Sequence, residues 1–157
     1  ISVVNAAIPA GAVGETQADD LRYQIATDFT AYLETTHAAI DAMQAGSDII
    51  LIGSMSAVSR GAGSSTYVAA KAGIQAFAQS LRKELAEDDI KVGLIEPGFT
   101  GADFQYPQFA PEKQVELINQ DRMLRAEDIA VAAFTMLTQP RRAAVSLMRV
   151  EPRLDHA

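Results

Sequence analysis

Cysteine and tryptophan are both absent from the 157 residues. Without thiols, disulfides and thiolate metal sites are excluded. Histidine occurs twice, at His37 and His156, far apart and with no ligand spacing around either, so no metal site is expected. Basic side chains are in deficit: 13 Lys and Arg against 20 Asp and Glu leave a net charge of −7. That balance argues against nucleic acid or an anionic membrane as the main partner, because no basic patch is available to draw phosphates. Long apolar runs are missing too, and none approaches the ~20 residues that span a bilayer. A cytoplasmic location is therefore expected. What remains is ordinary globular material, 48% hydrophobic and 21% charged, of a length suited to one domain with a real core.

The apolar residues fall into two kinds of pattern. Ile1–Asn5, Asp48–Gly53, Ile90–Glu96 and Ala144–Val150 are short, nearly continuous apolar runs that read as strands buried on both faces. Between them the spacing turns helical. Leu21, Ile25, Phe29, Leu33, Ile40 and Met43 recur across 18–45, with Asp19 and Asp20 at the favoured N-terminal end and Gly46 beyond the last turn. Ala70, Ile74, Phe77, Leu81 and Leu85 mark a second helix over 64–87, and shorter helices are expected near 112–119 and over 127–138. Pro97-Gly98 stops the third strand, and an irregular stretch rich in Phe, Tyr, Gln and Pro runs from Phe99 to Pro111. Strand and helix alternating in this way predict an α/β fold, a doubly wound parallel sheet covered on both faces. In such sheets ligands sit at the carboxyl ends of the strands, where Ser54, the Pro97-Gly98 corner and the Asn5 turn all fall.

Tyr67 and Lys71 lie one helical turn apart, and Ser54 stands thirteen residues before the tyrosine. Residues at i and i+4 share a helix face, so phenol and ammonium can point into one cleft, with a hydroxyl at a strand end completing a proton-handling site. With 4 Tyr, 4 Lys and 9 Ser in the chain, about 0.006 chance matches to this spacing are expected. A free phenol, with a pKa of ~10, is too weakly acidic to act as a base at neutral pH. A neighbouring ammonium favours phenolate, and lowering Tyr67 is the task this reasoning gives Lys71.

These residues resemble the short-chain dehydrogenase/reductase family. Ser54, Tyr67 and Lys71 match its catalytic pattern, Asn5-Ala6-Ala7 its Asn-Asn-Ala-Gly turn after the fourth strand, and Pro97-Gly98 its Pro-Gly turn after the sixth. The resemblance implies a Rossmann-like sheet made of the family's fourth to seventh strands. The family's first strand, glycine-rich phosphate loop and ribose-reading residue have no counterpart in the 157 residues. The chain is accordingly expected to be a single, N-terminally incomplete domain of that type, about 80 residues short, with its first strand left as an apolar sheet edge.

The resemblance further implies an NAD(P)-dependent oxidoreductase with NAD or NADP as cofactor and a small carbonyl or alcohol as substrate. Tyr67 would exchange the proton, Ser54 would hold the substrate oxygen, and Lys71 would also reach the nicotinamide ribose. Asn5, Ala6 and Ala7 would line the adenosine-to-ribose part, and Pro97, Gly98, Phe99 and Thr100 would pass the carboxamide. Thr100 arrives earlier than the family's usual hydroxyl, and Ala102 stands where that threonine often falls. The family commonly has asparagine at the position of Asp28, supporting a relay water; an ionised Asp accepts but cannot donate, and an exposed helix carboxylate is the competing reading. Phe99, Phe104, Tyr106 and Phe109 fall where the family closes over substrate, and aromatics packing on the following helix are the competing reading. Arg82, Lys83, Arg141 and Arg142 read as solvated charges or helix-end partners. A homodimer or homotetramer through the two long helices is also implied. The alternative is a catalytically inactive module of the same fold. A hydrolase is disfavoured by the lack of a Gly-x-Ser-x-Gly elbow and of a suitably placed histidine.

Overall fold

A computed structural model describes residues 1–105 and 108–154; Tyr106 and His156 lie outside the described residues. Four parallel strands, β1 (Ser2–Val4), β2 (Asp48–Ile52), β3 (Lys91–Pro97) and β4 (Leu147–Val150), lie side by side in sequence order. Leu51 is in register with both Val4 and Leu94, and Pro97 with Val150. Helices connect the strands: α1 (Ala18–Ile25), α2 (Ala31–Asp41), the short α3 (Ser56–Ser59), α4 (Ser65–Glu84), α5 (Pro111–Asn119) and α6 (Ala126–Leu137). The expected α/β architecture is observed, and the apolar runs fulfil their expected role. Ile49 to Ile52 are all buried, because successive side chains feed opposite faces of the sheet. Ile49 and Leu51 join Val4, Ile74, Leu81 and Leu94 in one core layer, while Ile50 and Ile52 join Ile95, Ala132 and Met136 in the other. At the sheet edge, Val3 of β1 is 53% exposed.

Three local differences from the sequence expectation bear on the site. The expected helix over 18–45 is interrupted by a π-helical turn, Ala26–Thr30, between α1 and α2. Such turns insert one residue and rotate the side chains that follow. The face it turns furthest inward is not the apolar stripe but Gln24, Asp28, Tyr32 and Thr36, all buried at four-residue intervals; Leu21, Ile25, Phe29 and Leu33 are only half-buried. α3 was not anticipated, being one turn long and too short for any periodicity. β4 begins at Leu147, three residues later than the apolar run suggests.

The long helix approaches α4 closely at Gly73, where a Cβ would stand 2.8 Å from Phe29 Cε2. Away from the ligand end, Arg141 pairs with Asp48 and Asp89 and ties the amino ends of β2 and β3 together. Among the described residues, no helix is long and apolar enough to cross a membrane.

Candidate active site

The carboxyl ends of β2 and β3 carry the chemistry. Gly53, immediately after β2, donates its N–H to Ile95 O at 2.7 Å, and Met55 N–H reaches Pro97 O at 2.9 Å. A Cβ on Gly53 would meet Leu94 Cδ1 at 3.1 Å and Glu96 Cγ at 3.3 Å, so the chain entering Ser54 is pressed against β3. Ser54 is half-buried, and its Oγ accepts the Ser56 N–H at 3.1 Å, which starts α3. α4 follows, with Tyr67 in its first turn and Lys71 in its second.

Tyr67 is half-buried and packs against Phe104 with ring centroids 5.5 Å apart. Lys71 is 1% exposed. Its Nζ donates to Tyr32 Oη and to Ile52 O, each at 3.2 Å, and lies 5.5 Å from the centre of the Tyr67 ring. Tyr32 in turn donates to Ile52 O at 2.7 Å, and its ring centre is 4.7 Å from the ammonium. An ammonium has three hydrogens; two are engaged here, and the third has no partner among the described residues.

The ionisation of the site differs from the sequence expectation. Burial pushes the Tyr67 phenol up to about 12; the Ser54 hydroxyl pulls it down, and the Asp28 carboxylate adds to the rise. Lys71 does not depress it. The reason is its own burial, which lowers the ammonium to about 8 against a smaller upward pull from Asp28. By the pH at which Tyr67 would ionise, Lys71 has lost the charge that was to assist it. Burial also raises Tyr32.

Asp28 is not an exposed helix carboxylate, since it is fully buried. One carboxylate oxygen, Oδ1, accepts the Ile8 N–H at 2.7 Å, which ties the loop after β1 to the π-helical turn. The other, Oδ2, has no hydrogen-bond partner. Burial raises its carboxyl above the ordinary carboxylate value, against smaller downward pulls that begin with the Ile8 N–H and include Lys71; the Gln24 carboxamide nitrogen, like Oδ2, makes no hydrogen bond.

The candidate cofactor residues are placed less tightly. Asn5 and Ala6 are exposed and Ala7 is half-buried, just past β1. Pro97 ends β3, and Gly98 N–H donates to Val150 O at 2.7 Å. Thr100 turns its hydroxyl back onto Gly98 O at 3.0 Å, and its own carbonyl accepts from Gln105 Nε2 at 3.0 Å. Phe99 stacks edge-on with Phe109 at 5.0 Å. Gln114 from α5 donates to Phe109 O at 2.9 Å, so the irregular segment is tied down on both sides of Phe104.

Two buried polar residues near the strand ends went unrecognised in the sequence. Tyr32 holds Lys71, and its signal was the polar stripe at positions 24, 28, 32 and 36, which has a helix period but no apolar character. Glu96, fully buried beside Pro97, accepts from Gln75 Nε2 at 2.8 Å and from Arg149 Nε at 2.9 Å, joining α4, β3 and β4. Nothing distinguished it from a charge marking the end of a strand.

A parallel sheet with this constellation at its carboxyl edge defines a Rossmann-like dehydrogenase fold. The pattern of the short chain dehydrogenase family matches residues 1–113, and the chain belongs to that family. Carbonyl reductase family member 4 of Danio rerio is 32% identical over 126 residues, covering 80% of this chain and 53% of that protein. The closed form of serine dehydrogenase complexed with NADP+ superposes with a TM-score of 0.85 at 25% identity, covering 99% of this chain and 65% of that one. The 3-oxoacyl-[acyl-carrier protein] reductase of Brucella melitensis in complex with NAD shares the fold, with a TM-score of 0.80 at 23% identity over 97% of this chain and 65% of that one. The chain thus spans about half the length of the curated relatives it matches.

Proposed function

We propose that this chain carries the proton-transfer site of an NAD(P)-dependent oxidoreductase that reduces a small carbonyl compound to the alcohol. The single observation behind this is a half-exposed phenol, Tyr67, flanked by the Ser54 hydroxyl and by the Lys71 ammonium at the carboxyl edge of a parallel sheet. A phenol pushed up to about 12 is fully protonated at neutral pH. It is therefore in the right state to give a proton to a developing alkoxide, whose affinity for protons is far greater still. Ser54 donates a hydrogen bond to the same oxygen and aligns the carbonyl. Phe104 against Tyr67 supplies an apolar wall for the part of the substrate next to the carbonyl.

The residues present fit the nicotinamide end of the cofactor. The uncommitted third hydrogen of Lys71 suits a ribose hydroxyl, and the backbone of Pro97 to Thr100, with Asn5, Ala6 and Ala7 on the other strand end, suits the neighbouring groups. When bound, the nicotinamide supplies the hydride, which no side chain can. The solved neighbours bound to NADP+ and to NAD, and relatives named for carbonyl and 3-oxoacyl reduction, favour the same assignment. Association through α1, α2 and α4 into a dimer or tetramer, in the cytoplasm, completes the proposal.

The test combines binding with turnover. NADPH or NADH fluorescence should rise saturably on titration, and Tyr67→Phe should lower carbonyl reduction by about 10³-fold while cofactor affinity stays within a few-fold. Near-normal turnover in Tyr67→Phe removes the phenol from this role. A flat titration favours the inactive module.

A further inference from the structure

We propose that Glu96 is a positioning residue of the site: through Gln75 and Arg149 it fixes where α4, and with it Tyr67 and Lys71, stands against the strand end that leads into Ser54. Lys71 and Gln75 lie one helical turn apart on α4 and share a face, as Tyr67 and Lys71 do. That face is fastened to the sheet at two successive turns. Lys71 Nζ donates to Ile52 O at the end of β2, at 3.2 Å, and Gln75 Nε2 donates to Glu96 Oε1 near the end of β3, at 2.8 Å. The first fastening uses a group assigned to the chemistry, and the second does not.

Glu96 meets the Ser54 segment as well. A Cβ on Gly53 would stand 3.3 Å from Glu96 Cγ, so the stem of Glu96 lies across the residue that joins β2 to Ser54. The backbone on either side of Glu96 holds the same segment, Ile95 O accepting the Gly53 N–H at 2.7 Å and Pro97 O the Met55 N–H at 2.9 Å. The remaining carboxylate oxygen, Oε2, accepts from Arg149 Nε at 2.9 Å, and Arg149 is the residue in register with Glu96 on β4. Both oxygens are thus engaged, and the side chain cannot turn without breaking a bond.

Stability alone does not call for this arrangement. Glu96 is fully buried, and buried ion pairs are often replaced by apolar side chains of similar volume without loss of stability. What the carboxylate supplies is direction, because its bonds set how far α4 and β4 stand from the end of β3. Catalysis by proximity depends on such distances, a misplacement of about 1 Å being able to cost about 10²-fold in rate. The effect on turnover rests on the proposed oxidoreductase function; the placement of α4 does not.

The experiment follows the 157-residue chain by turnover, by urea denaturation and by NMR of labelled tyrosine and lysine, Tyr67 and Lys71 being assigned by loss of signal in Tyr67→Phe and Lys71→Met. Gln75→Met fills similar space without the amide. It should shift the Tyr67 and Lys71 signals and lower kcat on the order of tenfold, at a urea midpoint too high for unfolding to account for the loss. Gln75→Asn, whose amide is one methylene short of Glu96, should do the same and decides the matter where Gln75→Met fails to fold. Gln75→Glu combined with Glu96→Gln exchanges donor and acceptor across the pair, with the new amide oxygen still accepting from Arg149, and should restore both signals and kcat. Wild-type signals in the Gln75 variants, or an exchanged pair that resembles those variants rather than wild type, overturns the proposal. Shifted signals with an unchanged kcat overturn its effect on turnover. A wild type with no turnover to lose removes the oxidoreductase reading and leaves the signals to decide the placement.

Discussion

Replacing Lys71 by methionine should stabilise the protein near neutral pH, at the expense of the proposed oxidoreductase activity. Folding moves the ammonium from its ordinary 10.5 to about 8, chiefly because burial strips it of water. The difference, 10.5 − 8, at about 1.4 kcal/mol per pH unit, makes a charged Lys71 cost the fold about 3 kcal/mol. The sign follows from proton counting. Between pH 8 and 10.5 the unfolded chain binds the proton that the folded chain has released, so stability rises with pH across that window. Below pH 8 the full penalty applies. Methionine is similar in length and uncharged, and it leaves no buried acceptor bare, because Ile52 O still receives the Tyr32 hydroxyl at 2.7 Å. In urea denaturation followed by circular dichroism, wild type should therefore gain about 2 kcal/mol between pH 7 and pH 9.5, while Lys71→Met should stay flat over the same range. The variant should be more stable by about 3 kcal/mol at pH 7 and by about 1 kcal/mol at pH 9.5. Parallel curves for the two proteins, or a variant less stable than wild type at pH 7, would refute the claim that Lys71 is held charged against its burial.

Ser54→Ala removes the hydroxyl that lowers Tyr67. It should cut kcat by about 10²- to 10³-fold and raise the Tyr67 midpoint, with a stability loss of only about 1 kcal/mol from the lost acceptor for Ser56 N–H; an unchanged kcat sinks the role given to Ser54. Gly73→Ala should destabilise by about 1 to 2 kcal/mol despite alanine's better helix propensity, because its Cβ meets Phe29 Cε2 at 2.8 Å. Adding Phe29→Ala should then cost less than it does in the wild-type background, measured by a double-mutant cycle; additivity of the two would refute the close approach.

The sheet was legible because its strands are buried on both faces and therefore read as runs: Asp48–Ile52 and Lys91–Pro97 fall within a residue or two of the apolar stretches that announced them. That Tyr67 and Lys71 share one region was legible from spacing, since a helix turn translates sequence distance into proximity. The long helix was misread in one respect. Periodicity assumes that the apolar stripe faces inward, and here Asp28, Tyr32 and Thr36 are fully buried while Leu21 and Phe29 are not. Burial driven by a polar site leaves no hydrophobic signature. Electrostatics was less legible still. Tyr-x-x-x-Lys suggests an ammonium assisting a phenol, but desolvation acts on both groups and spacing carries no information about it.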